Sequence, residues 1–154
     1  MTDIQKAYEG LRKRHPELPL FSEVDSLFEI SNMEKERFLL RSIRRSILEE
    51  IEYLLHSMEP VFQPENSVAG MHECRFLQED EKQRFFDLYR KLAALHRKGI
   101  AAALRYQEDE EAAFIASVCR VWKPLAADVA TYLAKIAGVW ERESESEEKA
   151  GYFG

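Results

Sequence analysis

SNMEKERFLLRSIRRSILEEIEYLLHSM, residues 31–58, is the stretch on which the reading of the fold turns. Met33, Leu40, Ile43, Ile47, Ile51, Leu54 and Met58 recur at the spacing of one helical face, and Leu48 and Leu55 widen it. Ser31 followed three residues later by Glu34 has the form of a capping box, in which each side chain satisfies an orphan donor of the first turn. Pro60 pushes Glu59 out of the helical region and ends the segment. The spacing predicts one long amphipathic helix from Ser31 to Met58.

Four arginines, Arg37, Arg41, Arg44 and Arg45, run along a flank of that face. At roughly 100° per residue, Arg44 falls about 40° from the midline through Leu40, inside the apolar arc. A guanidinium placed there must snorkel out along its stem or meet a carboxylate, because an unpaired buried charge is costly. Two readings follow: a structural ion pair with a glutamate of another helix, or an anion site in which the clustered arginines hold a phosphate or a nucleic-acid backbone.

Working outward, residues 3–14 read as a short helix capped by Thr2, with Ile4, Tyr8 and Leu11 on one side. Pro16 and Pro19 keep the next run extended. Ser22 with Asp25 resembles a second cap, opening a short helix through Val24, Leu27 and Phe28 to about Ile30. Residues 59–77 read as an irregular connection punctuated by Pro60, Pro64 and Gly70, with enough apolar residues to pack across the bundle. A helix from Glu79 to about Gln107 follows, with Phe85, Leu88, Leu92, Leu95 and Tyr106 on its midline. Phe86, Ala93, Ile100 and Leu104 form a second seam, the expected self-interface. Gly99 reads either as a C-cap or as a point of close helix approach.

The last helix is expected over 109–141, its buried face running from Ile115 through Trp122 to Trp140, with a kink at Pro124. Both tryptophans are expected to anchor a core or an interface. Beyond it, residues 141–149 hold five glutamates against Arg142 and Lys149, so 142–154 are expected to be a mobile acidic tail. Tyr152 and Phe153 within Gly-Tyr-Phe-Gly read as a docking motif or as a return onto the domain. The expected architecture is an all-α antiparallel helical bundle of three long helices, preceded by two short N-terminal ones, in one domain over 1–141.

Hydrophobic residues make up 45% and charged residues 32% of 154, the composition of an ordinary globular chain with room for one core. No apolar run reaches a membrane span. Two cysteines, Cys74 and Cys119, make no disulfide framework, so a cytoplasmic setting is expected. A net charge of −6 opposes a strongly basic nucleic-acid binder, although residues 35–45 hold five cations against Glu36 alone. Glu52 and His56 lack the spacing and the second pair that a di-iron bundle needs, and His72-x-Cys74 has no matching zinc pair. Neither a nucleophile elbow nor a glycine-rich phosphate loop occurs.

The leading expectation is a non-enzymatic protein-interaction or assembly module without cofactor, a homodimer or small subunit of a complex. Arg41, Arg44 and Arg45 would face the partner. A second reading is a nucleic-acid-binding accessory subunit using the same arginines. A third is a magnesium-dependent hydrolase centred on Glu49 and Glu52, with Glu50 beside them and Glu79, Asp80, Glu81 and Asp87 opposite.

Overall fold

Thr2 does cap the first helix: its hydroxyl accepts from the Gln5 amide at 3.2 Å, and α1 runs Asp3–Arg14. The computed structural model describes residues 1–34 and 37–150, the last eight by backbone alone. Five further α-helices follow among them, α2 (Phe21–Phe28), α3 (Leu39–Met58), α4 (Val68–Glu73), α5 (Glu79–Arg105) and α6 (Glu108–Ala150), with two short 3-10 turns and no strand. The chain is all-α, and its three long helices α3, α5 and α6 pack against each other as a bundle. No helix among the described residues is long and apolar enough to cross a membrane.

Four boundaries differ from the sequence expectation. Ser31 opens no helix: Ile30–Asn32 form a 3-10 turn, the Ser31 amide donates to Asp25 Oδ1 at 2.7 Å, and Met33 is extended. The periodic pattern before Leu39 rested on Met33 alone, too little to propagate a helix whose nucleation is unfavourable. Ser22 likewise lies inside α2, whose N-cap is Leu20 without a side-chain bond. The connection at 59–77 contains α4, capped by Ser67, whose hydroxyl accepts from the Gly70 amide at 2.9 Å. Finally, the backbone of α6 continues to Ala150, through Pro124 and through most of the expected tail. Tyr152 and Phe153 lie outside the described residues.

The chain divides into two compact units, one of residues 1–54 with 91–124, the other of 55–90 with 125–154. In the first, Tyr8 is fully buried and donates its hydroxyl to the Pro19 carbonyl at 2.8 Å, which ties α1 to the connection after it. That connection opens with a turn, Leu18 N–H to the His15 carbonyl at 3.1 Å, where an extended run was expected. Burial pushes that phenol's pKa up. Val24 and Phe28 of α2, Ile43, Ile47 and Ile51 of α3, Leu92 and Leu95 of α5, and Ile115, Val118 and Trp122 of α6 complete the core. Trp122 meets Phe28 with ring centroids 5.3 Å apart, so this tryptophan is a core anchor. At Gly99, inside α5, a Cβ would stand 2.4 Å from Leu48 Cδ2 and 2.7 Å from Phe114 Cζ. That glycine is therefore the point where α3 and α6 close on α5, and not a cap.

The second unit is built on aromatic rings. Phe62 lies 5.5 Å from Phe85, 5.3 Å from Phe86 and 5.6 Å from Tyr89, and Phe85 meets Tyr132 at 5.2 Å. Together with the Glu81–Lys135 ion pair, this sets α5 and α6 antiparallel. Trp140 lies against His72 with ring centroids 5.1 Å apart and planes tilted by 56°, and donates Nε1–H to Glu73 Oε1 at 3.0 Å, which seats α4 on α6. Gly70 admits no side chain: a Cβ would lie 2.6 Å from the Gln63 carbonyl oxygen and 2.9 Å from that of Pro60. Backbone cannot swing aside as a side-chain tip can, so Gly70→Ala is expected to destabilise this unit by about 1–3 kcal/mol. An unchanged urea midpoint in that variant would refute the close approach.

Candidate functional site

The buried arginine of α3 finds its carboxylate on α6. Arg44 Nε donates to Glu111 Oε1 at 3.3 Å, with side-chain exposures of 9% and 7%. Glu111 sits in the first turn of α6, where Glu108, Asp109 and Glu110 also suit the positive end of the helix dipole. One turn earlier on α3, Arg41 approaches the same oxygen with Nε at 3.9 Å, too far for a hydrogen bond. That nitrogen is buried and has no hydrogen-bond partner among the described residues.

Two aromatic rings hold Arg41 instead. Its guanidinium carbon lies 4.8 Å from the Phe38 centroid and 4.9 Å from the Tyr106 centroid, and Arg37 lies over Phe38 at 4.9 Å. Phe38 precedes α3 and Tyr106 follows α5, and both take left-handed backbone, φ 58° and 56°. A residue with a Cβ in that region costs about 1–2 kcal/mol. Both rings are nonetheless more than half exposed, 57% and 68%. Cation–π contacts of about 0.5–1 kcal/mol each at exposed sites offset part of that cost.

These groups line a cleft of about 390 Å³ with Ala7, Leu11, Leu39 and Leu40 as its apolar wall. Its far side is closed by α1, where Arg14 Nη2 lies 3.2 Å and His15 Nε2 2.7 Å from Glu108 Oε1. The His15 hydrogen bond, and then Arg14, hold the Glu108 carboxyl below its ordinary pKa. The charged residues that line the cleft are Arg14 and Arg41 against Glu108 and Glu111, so its lining is charge-balanced; Arg44 pairs with Glu111, and Arg37 lies over Phe38.

Of the four arginines singled out in the sequence, three converge here. Arg37 and Arg41 share Phe38, and Arg41 and Arg44 share Glu111, although Arg37 lies before the helix and not on it. Arg44 is spent on its ion pair. Arg45 is exposed elsewhere, lining a shallow pocket with Met33, Glu34, Ser42 and Glu49. Phe38, Tyr106, Glu108 and Glu111 were not legible as site residues. Tyr106, expected on the α5 midline, lies one residue beyond the end of that helix.

The seam expected for self-association divides between the units. In the second, Phe86 packs against Phe62 and Tyr89 and keeps 40% exposure. In the first, Ala93 is half-buried, Ile100 is 39% exposed and Leu104 is 75% exposed. Glu49 and Glu52 are exposed on α3. Among the described residues no three His, Cys, Asp or Glu gather closely enough to hold a metal ion. Both cysteines are free thiols, and burial raises Cys119 to about 11, the opposite of an activated nucleophile.

No protein-family model matches the chain, and no curated protein or solved structure is significantly similar to it. The buried pair carries a sharp expectation of its own. Glu111→Leu leaves Arg44 charged and unpaired and should cost about 3–5 kcal/mol, whereas Arg44→Met with Glu111→Leu should recover most of that loss. Chemical denaturation of the single and double variants measures both; equal loss in the two would mean that packing, and not charge pairing, sets the cost.

Proposed function

We propose that this chain is a non-enzymatic protein-interaction module that receives a carboxylate group of a protein partner in the Arg41 cleft. The observation that carries this reading is the state of Arg41. Its guanidinium is held between two rings and has a buried Nε without a hydrogen-bond partner, while the carboxylate beside it is already taken by Arg44. A cation fixed in this way loses little conformational freedom on binding, so a carboxylate that meets it gains more than it would from a mobile surface arginine.

Fluorescence anisotropy with a labelled polyglutamate peptide tests the proposal. Binding should weaken as salt rises and fall at least fivefold in Arg41→Ala, while Arg45→Ala, away from the cleft, leaves it unchanged. Equal binding by wild type and Arg41→Ala would reject the cleft. Tighter, Arg41-dependent binding of duplex DNA would favour the nucleic-acid accessory reading.

Self-association is a second reading, favoured by Leu104 and Ile100, which leave large apolar side chains in water at the end of α5. Burying them against a second copy is a common solution for such surface. Sedimentation velocity should then give a mass that rises with concentration and reverts to monomer in Leu104→Glu. A wild-type chain that stays monomeric to high micromolar concentration would remove this reading.

A further inference from the structure

We infer that the group Arg41 receives is the free carboxylate at the C-terminal end of a partner chain, with its last, apolar side chain seated against the cleft wall. This rests on the cleft being the partner site and names the chemistry it takes. Three observations narrow the ligand.

The first is charge. Glu108 and Glu111 both line the cleft, so a phosphate carrying about two negative charges would meet two carboxylates at close quarters. Arg14 is engaged by Glu108 and Arg44 by Glu111, whereas Arg41, which lines the cleft, has no hydrogen-bonded carboxylate among the described residues. One fixed guanidinium suits one planar, singly charged oxyanion.

The second is lining. Leu11, Leu39, Leu40 and the two rings surround Arg41, and a volume of about 390 Å³ is near the small end of ligand pockets. An acidic run would place further carboxylates against that apolar wall, where they would be desolvated without partners. A carboxylate attached to an apolar residue satisfies both surfaces. Capture of a chain end by its carboxylate is a known mode of peptide recognition.

The third is access. Phe38 and Tyr106 remain mostly exposed although they clamp the guanidinium. A chain that continues past the carboxylate therefore has exposed ring surface at the cleft to cover. A free acid would leave those rings uncovered.

The test uses fluorescein-labelled pentapeptides ending in leucine, one with a free carboxylate and one with a C-terminal amide. The amide should bind at least tenfold more weakly, and Arg41→Gln should erase the difference. Tyr106→Gly separates binding from folding: glycine takes φ 56° without strain, so this variant should melt no lower than wild type and yet bind the acid at least fivefold more weakly. Equal binding of acid and amide, or unchanged binding of the acid in Arg41→Gln or Tyr106→Gly, overturns the inference. N-acetyl-leucine binding as tightly as the pentapeptide overturns the chain end as source and assigns the cleft to a small carboxylic acid. Arg41-dependent capture of polyglutamate without capture of either pentapeptide overturns this inference alone. Failure of all three peptides overturns the partner site as well.

Discussion

The ion pair between Arg44 and Glu111 is the constraint on which the first unit depends. Each of its side chains is almost fully buried, so neither charge can be left to water. Two hydrophobic helix faces can slide past one another by a turn at modest cost, but a buried charge pair allows one register. With that register set, the start of α3 lies level with the start of α6. Arg41, one turn before Arg44, then comes within 3.9 Å of the same carboxylate without a hydrogen bond to it, and Glu108, one turn before Glu111, reaches Arg14 and His15 at the end of α1. The cleft is thus a consequence of where the pair is placed.

A second constraint acts on the rim. Phe38 and Tyr106 both adopt a backbone region that glycine or asparagine occupies more cheaply, and both put large rings into solvent. A protein selected for stability alone has an easy remedy at such positions, since a glycine after the last turn of α5 would make an ordinary helix stop. The two rings converge on one guanidinium from separate elements, one before α3 and one after α5. Backbone strain of this kind is held where the surrounding structure over-determines it, and such positions cluster at binding sites. The buried pair serves the fold. The strained clamp beside it is the feature on which the proposed partner site rests.

Much of the fold was legible because the long helices carry their period over several turns, and the three-four repeat of Ile43, Ile47 and Ile51 or of Ile115, Val118 and Trp122 needs no tertiary information. Even the need for a partner at Arg44 could be read, since an arginine inside an apolar arc demands one. Which glutamate answers it could not: Glu111 is 67 residues away, and nothing local separates it from the other acids of the first turn of α6. The short elements failed for the opposite reason. At Ser31 a capping pattern was present without the apolar repeat to sustain it, and α4 is only six residues long, too short to show a period. Tyr106 was misplaced because its spacing suits the α5 midline, whereas its φ of 56° takes the chain out of the helix one residue after Arg105. Positive φ at an aromatic residue has no signature in composition or spacing.

The charge of the whole chain bears on what such a cleft can select. At −6 the long-range field opposes a polyanion, and nucleic-acid affinity draws on many phosphate contacts made together. A cleft with one unmatched guanidinium cannot replace that sum. At physiological salt the Debye length is about 8 Å, so a ligand carrying a single carboxylate feels little of the global charge until it is close to Arg41. There, the rings that fix the guanidinium make one good ion pair worth more than a diffuse patch would be. On the proposed reading, the net charge discourages extended anions at a distance, and the unmatched Arg41 guanidinium admits a compact one at contact.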